Sequence, residues 1–232
     1  MPTSFHCHLS RMVDWIFAIQ PKSVLDIGVG HGKWGFLARE YTDIFFNRYE
    51  RGDWQVKIEG VEAFRRYENP IYHYAYDKVH FGNITDVLPT LPDYDLVIIG
   101  DVIEHFPKEQ GLALLDALRK KASFILLSSP TRFFQQEILG NDFETHHSLW
   151  SWKDFGDYQF DYEEIEQALF VALLQGDRPS KAELTLTGAA ASAVYAVPFL
   201  KRKPKIAQIA KKYLCKLPAY RPYKVTPLNK EK

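Results

Sequence analysis

The stretch that decides the fold reads Ser23-Val24-Leu25-Asp26-Ile27-Gly28-Val29-Gly30-His31-Gly32. It begins with a short apolar run, the pattern of a buried strand in a parallel sheet. Three glycines follow at alternate positions, where the backbone can turn tightly and approach a ligand that a Cβ atom would exclude. Helical spacing of apolar residues starts directly afterwards, over residues 33–48. The stretch therefore predicts a strand, a ligand-binding turn and a helix whose positive N-terminal end faces the ligand.

The spacing of these glycines bears on the class of ligand. A dinucleotide fingerprint carries G-x-G-x-x-G around a pyrophosphate, whereas this loop carries G-x-G-x-G. Asp26 stands two residues before the first glycine, where a carboxylate attracts an ammonium group and repels a pyrophosphate. A bare pair of glycines also fits a plain tight turn, but the acid and the spacing together favour a cationic ligand without phosphate over NAD.

Strand and helix patterns alternate through the first 130 residues. Such alternation predicts a mostly parallel sheet with helices on both faces, the doubly wound α/β class. Beyond them, residues 158–174 fit either a strand or a helix, while a short helix at 148–155 and a late strand at 190–200 are indicated. The predicted strands after the first cover residues 55–61, 78–81, 94–99 and 124–127, and the predicted second helix covers residues 108–120.

The segment from Asp26 to Gly32 resembles the D-x-G-x-G-x-G signature of class I S-adenosylmethionine-dependent methyltransferases, and the resemblance covers about residues 20–130. It implies a Rossmann-like α/β fold with a doubly wound, mostly parallel seven-stranded sheet. It also implies S-adenosyl-L-methionine as the cofactor and methyl transfer as the reaction. By this resemblance Gly28, Gly30 and Gly32 line the methionine part of the cofactor, and Asp26 supports its amino group.

Two later segments continue the resemblance in the family's order. Glu62 ends the second predicted strand, where the family places an acid that holds both ribose hydroxyls, and the two oxygens of a carboxylate suit a vicinal diol. Glu59 is a nearby competitor, although strand alternation turns it to the other face. Asn83 and Ile84 stand where the family contacts the adenine, and Asp86 is the alternative for that contact.

A fourth segment follows the predicted strand at 94–99 and reads Gly100-Asp101-Val102-Ile103-Glu104-His105-Phe106. Ligands of open α/β sheets bind beyond the carboxyl ends of the strands, so Asp101 is expected beside the cofactor. The segment resembles the D-V-x-E-H stretch of family members that act on small molecules. Members that methylate nucleic-acid bases carry an Asn or Asp followed by two prolines and an aromatic residue, which this segment lacks. We therefore expect the acceptor to be an oxygen or nitrogen of a small molecule or of a glycan or lipid precursor, and not a nucleic acid.

Three histidines are candidate catalytic residues. Methyl transfer from a sulfonium mainly needs alignment of the acceptor with the methyl carbon and the sulfur. A general base helps when the acceptor is a hydroxyl or a protonated amine, and histidine is the usual choice. His105 follows the fourth strand, and His146 and His147 lie in the region that usually closes over the acceptor. Each is also consistent with a structural or surface histidine.

No metal site is predicted. Asp101, Glu104 and His105 carry donor atoms suited to a divalent ion, but their spacing is generic. The run His6-Cys7-His8 has alternate spacing over so short a stretch that it would chelate a metal poorly, and no matching Cys/His pair lies elsewhere.

The composition fits one globular domain. Hydrophobic residues make up 46% and charged residues 25% of 232 positions, a balance that argues against disorder. No apolar run reaches the roughly 18 residues of a membrane span, residues 1–12 lack the layout of a secretory signal, and Cys7 and Cys215 form no disulfide framework. We therefore expect a cytoplasmic protein with a methyltransferase domain over residues 1–200.

Residues 201–232 form a basic tail. They hold eleven of the 29 Lys and Arg residues but one of the 29 acids, so the tail carries about +10 and the first 200 residues about −10. Residues 205–217 predict an amphipathic helix with its lysines mostly off the apolar face. That face either packs on the acidic domain, which the charges favour, or contacts a membrane surface or a partner.

Two other functions compete with methyl transfer. A non-catalytic module could keep the fold and bind S-adenosylmethionine without reacting it. A nicotinamide-dependent oxidoreductase shares the Rossmann-like sheet, but Asp26 and the glycine spacing argue against it.

Overall fold

The computed structural model describes residues 3–133 and 140–179 of the chain. The predicted strand at 190–200, the end of the domain at 200 and the basic tail with its amphipathic helix lie outside the described residues. Among the residues that are described, no helix combines the length and the apolar character needed to cross a bilayer.

Seven strands form one sheet within the described residues. They are β1 (Ser23–Ile27), β2 (Lys57–Glu62), β3 (Lys78–Phe81), β4 (Tyr94–Gly100), β5 (Ala122–Pro130), β6 (Phe160–Ile165) and β7 (Leu169–Gln175). Their order in the sheet is β3-β2-β1-β4-β5-β7-β6. The first five run parallel, and β7 is antiparallel to both of its neighbours. The chain order reverses between β1 and β4, and ligands of such sheets bind at that switch point.

Helices cover both faces of this sheet. They are α1 (Leu9–Ile19), α2 (Lys33–Thr42), α3 (Pro70–Ala75), α4 (Ile84–Val87) and α5 (Lys108–Lys121). Because side chains alternate along a strand, Val24 and Leu96 pack in one core with α1, α2 and α3, whereas Leu25 and Val97 pack in a second core with α5. The predicted doubly wound, mostly parallel seven-stranded sheet is confirmed.

The helix predicted over residues 33–48 is shorter than expected, because α2 ends at Thr42. Asp43 follows it and is fully buried. Its carboxylate accepts from the guanidinium of Arg48 (2.6 Å) and from the amide of Gln55 (2.9 Å). These bonds fold the chain back toward β2, so the α-helix cannot continue.

Residues 158–174, which fit a strand or a helix by sequence, form the hairpin of β6 and β7. Glu166 and Gln167 make the turn with φ values of +53° and +55°. Strand β7 is buried over nearly its whole length, and burial on both faces explains its continuous apolar run. The short helix predicted at 148–155 is one 3₁₀ turn at Trp152–Phe155.

Helix α1 precedes the first strand and was not predicted. It buries Met12, Ile16 and Ile19 against the sheet. The guanidinium of Arg11 pairs with the carboxylate of Glu163 in β6. The N-terminal segment is thereby fixed across the sheet from its middle to its edge.

Gly35 in α2 leaves room for the ring of Tyr76. A Cβ atom at residue 35 would lie 2.1 Å from Cζ of Tyr76, which is fully buried. We expect Gly35→Ala to lower the free energy of unfolding by about 1–3 kcal/mol, outweighing the roughly 1 kcal/mol of helix propensity that alanine adds. Urea unfolding measures the change.

Gly52→Ala is the matched control for this variant. No described atom lies within 4 Å of a Cβ at residue 52, so its unfolding free energy should stay within about 0.5 kcal/mol of wild type. Equal stability of the two variants would contradict the packing of Tyr76 on Gly35.

Candidate active site

A cavity of about 300 Å³ opens where the strand order reverses, beyond the carboxyl ends of β1, β2 and β4. Small-molecule and cofactor sites span about 300–1,000 Å³, so the cavity is of suitable size. Eight of the eleven residues predicted for the site line it: Gly28, Gly30, Glu62, Asn83, Ile84, Asp101, His105 and His147. Asp26, Gly32 and His146 do not line it.

The glycine loop after β1 runs along the cavity wall. Gly28 has a φ of +73°, and a Cβ atom there would lie 2.4 Å from Cγ2 of Val102. The amide of Gly28 donates to the carbonyl of Val61 (2.9 Å), and the hydroxyl of Tyr72 donates to the carbonyl of Gly30 (2.6 Å). These bonds fix the loop against β2 and α3.

Asp26 lies beneath this loop and not in the cavity. Its side chain is fully buried, and Oδ2 accepts from the hydroxyl of Tyr76 (2.6 Å) and the amide of Gly35 (3.2 Å). Oδ1 has no hydrogen-bond partner among the described residues, and burial raises the pKa of Asp26 to about 7. Gly32, with a φ of +88°, is the N-cap of α2. Both residues therefore shape the loop from behind.

Glu62 holds the loop at the end of β2. Its Oε2 accepts from the amide of Gly30 (2.8 Å), and its Oε1 accepts from the amide of Phe64 (2.7 Å). Burial raises the pKa of Glu62. The backbone amide of Ala63 also acts on this carboxylate, and a carboxylate has about four lone-pair sites, so about one of them remains for a hydroxyl in the cavity. The competitor Glu59 does not line the cavity, and its carboxylate accepts from the hydroxyl of Tyr94 (2.6 Å).

Asn83 and Ile84 form the cavity wall after β3. The amide oxygen of Asn83 accepts from the backbone N–H of Thr85 (3.1 Å) and caps α4. Ile84 is buried and makes this part of the wall apolar. The alternative residue Asp86 is exposed and does not line the cavity.

Asp101 follows β4 with a φ of +57°, a strained conformation for a residue with a side chain. The hydroxyl of Ser128 donates to its Oδ1 (2.8 Å). Its Oδ2 has no hydrogen-bond partner among the described residues and lies 3.9 Å from Nε2 of His8. Backbone strain of this kind concentrates at functional sites, and Asp101 lies in the cavity wall with one buried oxygen that has no hydrogen-bond partner among the described residues.

The three predicted histidines meet at one end of the cavity. His105 and His147 line it, and the ring of His146 packs edge-on against that of His105 with 4.9 Å between centroids. Nδ1 of His105 lies 3.2 Å from the carbonyl oxygen of Thr145. Burial lowers the pKa of His105 and lowers the pKa of His146 to about 4. Both rings are therefore neutral near pH 7.

A loop that the sequence analysis did not assign completes the wall. Asn141, Asp142, Phe143 and Glu144 line the cavity together with Tyr67. The hydroxyl of Tyr67 donates to Oε1 of Glu144 (2.9 Å) and accepts from Nδ2 of Asn141 (3.1 Å). No motif or periodicity marks such residues, because their position comes from contacts that are distant in sequence.

The N-terminal segment also reaches the cavity, and it was given no role from sequence. Thr3 and Ser4 line the cavity, and the ammonium group of Lys33 donates to the carbonyl of Ser4 (2.6 Å). The fully buried ring of His8 lies 5.5 Å from that of Trp34. Helix α1 positions these residues at the cavity. Because α1 was not predicted from the sequence, the contact of the N-terminal segment with the cavity was not predicted either.

Comparison with known proteins gives matches in structure alone. Neither the protein-family models nor the curated proteins compared with the chain give a match. The DhpI–SAH complex has a TM-score of 0.54 at 14% identity, over 74% of this chain and 84% of that chain. The N-terminal domain of EvdMO1, in the presence of SAH and D-fucose, has a TM-score of 0.53 at 13% identity, over 76% of this chain and 85% of that chain.

A third solved structure is an O-methyltransferase family protein from Burkholderia thailandensis. Its TM-score is 0.50 at 15% identity, over 74% of this chain and 56% of that chain, so this chain spans little more than half of that relative. The chain thus has the fold of class I S-adenosylmethionine-dependent methyltransferases, as its motifs indicated.

The raised pKa of Asp26 gives a pH-dependent stability. The folded pKa of about 7 exceeds the ordinary value of 3.8, so the contribution of Asp26 is fully present below pH 3.8 and is lost as the pH rises through 7. Asp26→Asn cannot ionise. We expect it to gain about 1–4 kcal/mol in unfolding free energy relative to wild type between pH 4 and pH 8. Urea unfolding across this range measures it, and a flat difference would show normal ionisation.

Proposed function

We propose that the chain is an S-adenosyl-L-methionine-dependent methyltransferase that transfers a methyl group to an oxygen or nitrogen atom of a small molecule. The observation that carries this proposal is the position of Glu62. Its carboxylate lies in the cavity at the end of β2, bonded to the amide of Gly30 in the glycine loop. Structures of the same fold contain SAH, which supports the same ligand here.

The residues of the cavity fit this cofactor. Glu62 keeps acceptor capacity beside the three backbone amides that act on it, which suits a ribose hydroxyl. Gly28 offers bare backbone for the methionine part, and Asn83 with Ile84 offers a polar and an apolar contact for an adenine. Glu62 and Asp101 make the cavity acidic, which suits a ligand with a sulfonium and an ammonium group. When bound, the cofactor supplies a methyl group activated by the positive sulfur.

Asp26 affects this site indirectly, because it lies beneath the glycine loop and outside the cavity. Its position does not support the direct contact with an ammonium group that the resemblance implied. We assign it instead to positioning, because its carboxylate holds Gly35 at the start of α2 and the hydroxyl of Tyr76. Both contacts fix the path of the glycine loop.

A neutral histidine beside the acceptor supports proton removal. Transfer breaks the carbon–sulfur bond, forms a carbon–oxygen or carbon–nitrogen bond and releases the acceptor's proton. The contact of His105 Nδ1 with the Thr145 carbonyl needs an N–H at Nδ1, which leaves a lone pair on Nε2. His147 is the second base candidate on the same wall, and its exposed ring can pass a proton to solvent. His146 positions the ring of His105.

Binding of S-adenosylhomocysteine tests the cofactor assignment by calorimetry. Wild-type protein should bind it and should not bind NAD, whose pyrophosphate the acidic cavity repels. Glu62→Gln should weaken binding, and Glu62→Ala should weaken it by about 10- to 150-fold, because hydrogen bonds to a charged group contribute about 1.5–3 kcal/mol. Glu59→Ala is the control and should keep wild-type affinity. A larger effect of Glu59→Ala would place the ribose elsewhere, and no binding by folded wild type would refute the proposal.

Turnover tests the histidines. With a labelled methyl donor and a panel of phenols, sugars and amines, His105→Ala should lower methyl transfer by about 100-fold or more without changing S-adenosylhomocysteine affinity. His147→Ala and His146→Ala are compared in the same assay. Equal turnover of all three with wild type would mean that the acceptor is aligned without a histidine base. Tight S-adenosylhomocysteine binding without transfer to any acceptor is the result expected of a non-catalytic module.

A further inference from the structure

Glu104, His105 and His146 form a cluster beside the cavity that cofactor binding does not use. One carboxylate oxygen and one nitrogen from each imidazole lie within 4.8 Å of one another. Glu104 is almost fully buried, and His146 contributes nothing to the cavity wall. We propose that these three side chains bind one divalent transition-metal ion.

The surroundings of the three side chains leave a ligand atom free or orient it by a hydrogen bond. The N–H at Nδ1 of His105 donates to the Thr145 carbonyl, which leaves the lone pair of Nε2 free to bind a metal ion. Nδ1 of His146 is buried and has no hydrogen-bond partner within the described part of the chain. The hydroxyl of Ser129 donates to Oε2 of Glu104 (3.1 Å). Metal-binding side chains are typically oriented by such outer hydrogen bonds.

The backbone holds the cluster together. The amides of His147 (2.8 Å) and Ser148 (3.1 Å) both donate to the carbonyl of Glu104. These two hydrogen bonds to one carbonyl oxygen fix the loop that carries His146 against the turn that carries His105. Ligands that lie 41 residues apart in the chain are thereby held in place by the fold.

The charge of the cluster also favours a cation. A buried carboxylate is costly without a positive partner, and the carboxylate of Asp101 is close enough to Glu104 to act on it electrostatically. Two imidazole nitrogens and one carboxylate oxygen form a donor set of catalytic zinc sites and suit other first-row ions. Magnesium and calcium prefer oxygen ligands throughout. In a tetrahedral site with bond lengths of about 2.0–2.2 Å, two ligand atoms lie about 3.3–3.6 Å apart, so the three side chains must move closer together when the ion binds.

The role of the ion rests on the proposed function. Because His105 lines the cavity, an ion held by the cluster would lie at the cavity wall, within reach of an acceptor bound there. A hydroxyl bound to the ion loses its proton more easily, and its oxygen then takes the methyl group. In this state His105 is a ligand, and the proton passes to His147 on the same wall.

Metal binding is tested on the full chain without a histidine tag, after treatment with a chelator. Zn²⁺ is titrated by calorimetry and Co²⁺ is followed by visible absorption, both without cofactor. We expect one ion per chain. His146→Ala and Glu104→Gln should each lower the affinity by more than about 100-fold, because loss of outer partners alone costs 10–100-fold. His147→Ala, next to His146, is the matched control and should bind as wild type does.

The two proposals fail separately. No Zn²⁺ binding by wild type, or equal affinity of His146→Ala and wild type, would overturn the metal site. Thermal unfolding without metal shows whether Glu104→Gln still folds. If that variant does not fold, His146→Ala provides the test, because residue 146 lies in a loop. Metal-free wild type that binds S-adenosylhomocysteine but not Zn²⁺ overturns the metal site alone. The reverse pattern supports the metal site and overturns the proposed function.

Discussion

The buried carboxylate of Asp26 is the constraint on which the site depends. It joins β1 to α2 through the amide of Gly35, and it joins β1 to the segment before β3 through the hydroxyl of Tyr76. The ring of Tyr76 fits there because two neighbours lack side chains: a Cβ atom would lie 2.1 Å from it at Gly35 and 3.1 Å from it at Gly60. Burying a carboxylate is costly even with two donors. The buried carboxylate lies where it fixes the conformation of the glycine loop, which explains why the fold retains it.

The same electrostatic character extends through the cavity. Glu62 and Asp101 line it and Glu104 lies buried beside it, so carboxylates gather beyond the carboxyl ends of β2 and β4. This concentration of carboxylates favours a cationic ligand. The proposed sulfonium cofactor and the proposed metal ion therefore share one physical origin, although Glu62 serves the first and Glu104 the second.

Sequence patterns located the elements whose signals are local. Strand β1 was predicted residue for residue, because an apolar run ends there at a glycine. Residues 158–174 stayed ambiguous, since a continuous apolar run fits a buried strand and a buried helix alike. Helix α1 was missed, and its N-cap residue His8 makes no capping bond that could mark its start. In the site, the motifs predicted which residues lie near the strand ends, but not whether a side chain reaches the cavity surface or is buried behind it. Asp26 was therefore expected to contact the ligand, whereas it lies beneath the cavity.

The two ends of the cavity are built in different ways. Strand ends and the glycine loop form one end, where we propose that the cofactor binds, and solved structures with 13–15% identity share this fold. The loop at Asn141 and Glu144 forms the other end, where we propose that the acceptor binds, and its hydrogen bonds to Tyr67 fix its position. The ring of Tyr67 also lies 5.4 Å from the ring of His31 in the glycine loop. One side chain thus contacts both ends, so Tyr67 couples the position of the glycine loop to the position of the loop at the opposite wall.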